Sequence, residues 1–291
     1  MIKEHKEKLK HLGLVTILLI IAMIFWRNHS VLTQLDQDKS LSRSSGNELV
    51  RYHIFDAYTG DDEKVFFKVS DNVERLKKFY NSLVTNEEIT FIEMGFQPIS
   101  IENFEGEAKF EYGYESGHNG ENYRTENREF TSVKALHYNQ QLIDSFELEL
   151  EFGEMPLEEN FNLTQNEPIS VILGSEYKGT YDIGDTFMVD NVGLFSKCKV
   201  IGILSENQYV LNQGHEVDLN RSVLMPSLNI EESPENQWER NLQMRIYLQK
   251  VNGIIECEES SVTESYKLID ELAKDAKLKP YGKIGPFVVN E

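Results

Sequence analysis

The stretch SVILGSEYKGTYDIGDTF, Ser170 to Phe187, sets the reading of the whole chain. Its apolar run is followed by Gly174, Lys178, Gly179 and Thr180, nearly the order of a phosphate-binding loop. A phosphate loop needs G-x-x-x-x-G-K-[ST], with the Lys after the second Gly so that it reaches the β/γ-phosphates. Here Lys178 precedes Gly179 and Tyr181 follows Thr180, and no other stretch offers a better loop. The plainer reading is structural. A buried strand ends at Gly174, a short helical turn runs from Ser175 toward Lys178, and a turn at Asp182 to Asp185 feeds the next strand.

Strand patterns continue on both sides of this stretch: SFELELEFG before it, then TFMVDNVG, KVIGILS and SVLMPS after it. Residues 141–240 therefore read as a β-rich insertion. Flanking it are two β-α-β patterns. In the first, LVRYHIFD (49–56) alternates as a strand. Asp71 and Glu74 have capping-box spacing before a helix with the apolar stripe Val73, Leu76, Phe79 and Leu83, and EITFIEMG (88–95) is the second strand. In the second, LQMRIYLQKV (242–251) reads as a strand. Ser261 and Glu264 cap a helix carrying Tyr266, Ile269, Leu272 and Ala276, Pro280 stops it, and KIGPFVV is a final strand. The fold class expected is α+β. Residues 49–140 and 241–291 would form one porter-like subdomain of two β-α-β units packed side by side, and 141–240 the inserted subdomain.

At 291 residues and 40% hydrophobic content the chain can bury a sizeable core. A formal charge of −20 at pH 7 repels nucleic acid. The basic tail 1–11 precedes LGLVTILLIIAMIFW, Leu12 to Trp26, which carries no charge. With Arg27 at the headgroups and Trp26 in the aromatic belt, residues 12–30 read as a membrane helix, N-terminus inside, followed by a polar linker at 31–48. A cleaved signal peptide would need small residues just past the apolar run, and RNHSVLTQLDQDKS has no small-x-small pair. The body after residue 48 is then extracytoplasmic, where little ATP is available. Two cysteines are too few for a disulfide framework. Cys198 reads as a small buried hydrophobe, and a Cys198–Cys257 bridge in an oxidising compartment stays open.

Taken in order, SFELELEFGEMP, EPISVILGSEYKGTYDIGDTF, CKVIGILS and RSVLMPS resemble the extracytoplasmic domain of MacB-like (FtsX-type) ABC transporter permeases, and the resemblance extends over essentially the whole chain. The residues that carry it are Gly153, Gly174, Ser175, Glu176, Gly184, Asp185, Gly202 and Pro226. The resemblance implies a non-catalytic permease component without cofactor. Its ATPase would be a separate cytoplasmic chain, and ATP-driven movement would be passed through the membrane helices to the outer domain, as in antimicrobial peptide or antibiotic efflux. It also implies a homo- or heterodimer. Two departures stand out. The Arg expected beside the motif glycine is replaced by Glu154, and the chain ends at VVNE, whereas family members continue into three further membrane helices. A truncated product, half of a split permease and a single-pass accessory protein all fit that ending. A stand-alone surface protein that binds or senses a peptide or envelope component is the rival function.

The histidines are scattered without H-x-x-x-H spacing, so no metal site is expected, and no nucleophile motif is present. Phe104 to Phe130 reads as a protruding hairpin turning at Asn119-Gly120, with Phe110, Tyr112, Tyr114 and Tyr123 on its arms. Either it is a solvated polar hairpin, or its aromatics anchor a partner.

Overall fold

The computed structural model describes residues 48–117, 122–125, 128–161, 168–230 and 232–289. The expected tail, membrane helix (with Leu12, Trp26 and Arg27) and linker up to residue 47 lie outside the described residues, as does the Asn119-Gly120 turn. Among the described residues no helix is long and apolar enough to cross a membrane.

Alternation along β1 (Leu49–Phe55) sends Val50, Tyr52 and Ile54 into an apolar core and leaves Arg51 and His53 on the opposite face. Two helices follow, α1 (Asp61–Phe66) and α2 (Asn72–Val84), then β2 (Thr90–Gly95). The stripe Val73, Leu76, Phe79 and Leu83 is buried as its spacing requires. Next come β3 (Ile99–Glu102), β4 (Tyr123–Thr125), β5 (Arg128–Val133), β6 (Ala135–Tyr138), α3 (Gln140–Phe146) and β7 (Leu150–Gly153). Then follow β8 (Ile169–Leu173), β9 (Thr186–Asn191), β10 (Leu194–Leu204), β11 (Tyr209–Asn212), β12 (His215–Asp218) and β13 (Val223–Pro226). The chain returns through α4 (Gln237–Lys250), β14 (Gly253–Glu258), α5 (Val262–Asp275) and β15 (Gly282–Val288).

One sheet runs through both ends of the body in the order β15-β1-β14-β2-β6-β13-β8-β10-β9-β3-β5-β4, with β7 also paired to β10. Its first four strands are antiparallel neighbours. β14 therefore lies between β1 and β2, and β1 lies between β14 and β15. The two β-α-β units do not sit side by side as expected. They interlock, each supplying the middle strand that the other unit's crossover spans, which is the ferredoxin-like split arrangement.

Three expectations are corrected here. Leu242–Val251 is not a strand: Leu242–Lys250 forms the larger part of α4, and Val251 caps it. Buried Gln243, Met244, Tyr247 and Lys250 recur at helical spacing, and the true start signal lies upstream, where Asn236 accepts from the Glu239 N–H at 3.0 Å and donates to its carboxylate at 2.6 Å. The strand of that unit is the next apolar run, GIIECE. The Asp71 and Ser261 caps do not form. Asp71 is taken by Arg75 at 2.8 Å, and a tight turn at Glu259–Ser261 leads directly into α5. Of SFELELEFG, only Leu150–Gly153 is strand, because α3 extends to Phe146 and is closed by Glu147 at φ +48°.

The expected boundaries move as well. Strands between residues 99 and 138 belong with the second lobe, β3 pairing with β9 and β6 with β13, and β6 also meets β2 of the first lobe at its other edge. The first lobe is 49–95 with 237–288, and the second runs from 99 to 226. Among the described residues, the two parts of the sheet join through Met94↔Tyr138 and Gly95↔His137. A shared core reinforces that narrow seam: Ile92, Met94 and Ile254 of the first lobe pack with Leu136, Leu142 and Leu224 of the second. Each such side chain contributes roughly 1.5–3 kcal/mol when fully buried.

Candidate functional site

At the seam, Glu93 on β2 and Lys250 at the end of α4 form an ion pair at 3.2 Å, with side chains only 3% and 2% exposed. An uncompensated buried charge is costly, so every partner matters. Tyr80 on α2 donates to the Glu93 carboxylate at 2.9 Å, and Ser227, just past β13, donates to its other oxygen. Lys250 also donates to Ser227 Oγ at 2.9 Å, and its ammonium stands 4.3 Å from the Tyr80 ring centre. The Glu93 N–H is held by Asn139 Oδ1 at 3.0 Å, and Asn139 donates back to the Phe91 carbonyl at 3.0 Å. Burial holds the Lys250 ammonium below the ordinary lysine range, opposed by the Glu93 charge, and burial followed by the Glu93 charge pushes the Tyr80 hydroxyl up.

Above this seam lies a cleft of about 450 Å³ walled by both lobes, with Met94, Gln249 and Arg245 on one side and His137, Asn191 and Leu228 on the other. His137 donates through Nε2 to the Gln97 carbonyl at 3.0 Å, and burial pushes its pKa down to about 4. A second contact between the lobes lies on the far face of the first sheet. There the β11–β12 turn donates the Gln213 N–H to His53 Nε2 at 2.9 Å, and burial lowers His53 to about 4. Arg51 beside it pairs with Glu256 at 2.7 Å, donates to the Ser145 carbonyl at 2.5 Å and lies 4.3 Å over the Phe146 ring.

The residues singled out in the sequence fall elsewhere. Lys178, which suggested a phosphate loop, pairs with Glu151 at 2.5 Å. Gly174 lies against the backbone of the 219–220 turn, where a Cβ would meet the Leu219 carbonyl at 2.2 Å. Ser175 and Glu176 fasten the same turn, Ser175 to Asn220 at 2.7 Å and Glu176 to Arg221 at 3.6 Å and Lys109 at 3.2 Å. Gly153 sits opposite Gly202 across β7 and β10 at φ +89°, with the Ile201 carbonyl 2.1 Å from where a Cβ would be. Gly184 is left-handed, and the Asp185 carboxylate accepts the Asp182 N–H at 2.8 Å. These positions make turns and close backbone approaches. Pro226 alone borders the cleft.

The expected hairpin of 104–130 is instead two tight turns followed by the short β4–β5 pair. Phe110 is core, stacked on Tyr177 at 4.2 Å. Tyr123 stacks on Phe130 at 4.9 Å and donates to Asp190. Tyr112 and Tyr114 remain exposed, at 47% and 50%. Cys198 and Cys257 are both buried and free, so the bridge does not form. Sequence reasoning passed over Glu93, His137, Ser227 and Lys250. The signal for the first was a lone carboxylate inside the apolar strand TFIEMG.

Two solved structures are similar over most of the chain. One is the extracellular domain of the noncanonic ABC-type transporter YknZ from Gram-positive bacteria, with 12% identity, 83% of this chain and 100% of that chain covered, and a TM-score of 0.41. The other is the periplasmic region of MacB from Actinobacillus actinomycetemcomitans, with 15% identity, 85% and 94% covered, and a TM-score of 0.41. No family model matches the chain, and no curated protein matches it.

Gly153→Ala is expected to cost well over 2 kcal/mol in urea unfolding, since it adds a backbone clash to left-handed strain. Gly179→Ala, at φ +83° with nothing within 4 Å, should cost only about 1 kcal/mol. Equal losses would contradict the close approach at Gly153. The buried histidines also set a pH dependence. Their folded pKa lies below the unfolded value, so the unfolded chain binds protons first and stability falls as pH drops from about 6.5 to about 4. For His137 the loss is on the order of 3 kcal/mol. His137→Gln, which keeps a donor for Gln97, should remove about half of the slope of unfolding free energy against pH over that window, His53 supplying the rest. An unchanged slope would show that His137 is not the group responsible.

Proposed function

We propose that the chain is the extracytoplasmic, membrane-anchored part of a MacB-like ABC transporter permease. It works with a separate cytoplasmic ATPase and with a chain or segment supplying further membrane helices. Its task is to pass ATPase-driven movement outward and so export or extract a substrate or regulate a partner. The observation that carries this reading is the ordered motif set from Gly153 to Pro226, which lies in a strand-rich insertion carried by a split β-α-β lobe. The shared core and the Lys250–Glu93 pair suit the mechanical role, because a stiff body moves as a unit when pushed at one end. In this reading the N-terminus is cytoplasmic, residues 12–30 span the cell membrane, and the protein assembles as a homo- or heterodimer without catalysing a reaction itself. Exposed Tyr112 and Tyr114 are the candidate partner contacts.

A second reading, a surface protein that binds or senses a peptide or envelope component, draws support from the cleft walled by both lobes. Crosslinking in intact membranes followed by identification of the joined chains separates the two. The transporter reading expects an ATPase and a polytopic membrane chain, with crosslinks to an outer partner weakened at least fivefold by Tyr112→Ala/Tyr114→Ala. Recovery of the chain alone or with soluble ligands would contradict it.

A further inference from the structure

On the far face of the first sheet, β11 and β12 form a two-stranded sheet of their own, outside the main ladder. A lone hairpin is at best marginally stable, so it depends on what it touches. Its base is anchored by Val210, fully buried in the core that the lobes share. Its tip is the two-residue turn Gln213-Gly214, both residues left-handed as such a turn requires. That tip reaches the first lobe. The Gln213 N–H donates to His53 Nε2 at 2.9 Å, and a Cβ on Gly214 would lie 3.0 Å from the Phe287 ring.

The direction of that hydrogen bond is fixed. A backbone N–H only donates, so Nε2 accepts and carries no proton. A proton added there turns the acceptor into a donor, and two N–H groups then face each other. Hydration does not rescue the charged ring in place, because the gap beside His53, lined by Leu211, Ile254 and Phe287, holds about 10 Å³, at or below the room one water needs. No counter-charge waits for it either. Arg51 on the same strand is cationic, and Glu256 on β14 is already its partner at 2.7 Å. Lys283 on β15 is held by Asp270 at 2.6 Å. His215 and Glu216 on the hairpin are exposed, as are Asp144 and Glu147 at the end of α3, and among the described residues no carboxylate pairs with His53.

We propose that the β11–β12 hairpin is a strap released by acid: protonation of His53 Nε2 detaches the Gln213-Gly214 tip from the first lobe, while the base of the hairpin and the Lys250–Glu93 seam stay in place. Burial lowers the ring from its ordinary 6.5 to about 4, and release returns it toward 6.5. The attached state has the lower pKa, so attachment is full above about 6.5 and is lost as pH falls toward about 4. Between pH 7.5 and pH 5 the ratio of released to attached tip rises about 25-fold. The inference does not depend on the transporter reading.

The test is hydrogen–deuterium exchange with residue-level readout on the full chain in nanodiscs at pH 7.5 and pH 5, each rate corrected for intrinsic exchange. Protection of the Gln213 amide is expected to fall about 25-fold on acidification while staying below that of Ile92 in β2 and Leu224 in β13, which report global unfolding. His53→Gln, whose side-chain oxygen accepts from the Gln213 N–H at either pH, should hold that protection to within about threefold. Unchanged protection in the unsubstituted chain, an equal fall in His53→Gln, or exchange of Gln213 together with Ile92 and Leu224 would each overturn the proposal.

Discussion

A lysine and a glutamate buried together at the joint between two lobes constrain everything around them. Lys250 and Glu93 lose their hydration on folding, and that loss is offset only if Tyr80, Ser227 and each other are all in place. Those four side chains come from α2, β2, the segment after β13, and α4. Glu93 and Lys250 are 157 positions apart in sequence, so their pairing closes a loop that contains the whole insertion between β2 and α4. Long-range closure of this kind makes folding slow and cooperative.

The same constraint explains the shape of the sheet. Among the described residues, two residue pairs join the first four strands to the rest. The polar cluster on one side of the seam and the shared apolar core with Leu142 and Ile254 bind the joint from different directions. The β11–β12 turn adds a third attachment through His53. Among the described residues β15 is an edge strand, and its Pro286 removes an N–H from the ladder, which discourages pairing with other chains.

Much of this architecture was legible in the sequence, and the failures have physical causes. The stripe Val73, Leu76, Phe79 and Leu83 gave α2 because helical spacing and burial agree there. SVILG and the 182–185 turn read correctly because left-handed glycine and an aspartate side chain close a turn locally. LQMRIYLQKV misled because Leu242, Met244, Ile246 and Leu248 also alternate, and the deciding cap at Asn236 lies outside the window. Phe110 and Tyr123 looked like arm residues, yet they pack on Tyr177 and Phe130, neighbours that only the tertiary fold supplies. The seam was hidden for the same reason: an ion pair between distant positions leaves no spacing pattern, and Lys250 at the end of the largely polar helix QWERNLQMRIYLQK looks like any solvated lysine.

The central claim is that the Lys250–Glu93 pair fastens the two lobes as one energetic unit. A double-mutant cycle with Glu93→Gln and Lys250→Met, read by urea unfolding at pH 7, tests it most directly. Each single change should cost about 3–5 kcal/mol by stranding a buried partner, and the double variant should fall short of their sum by about 2 kcal/mol or more. Additive losses agreeing to within about 0.5 kcal/mol would show that the two side chains act independently and that the seam is held by its apolar core alone.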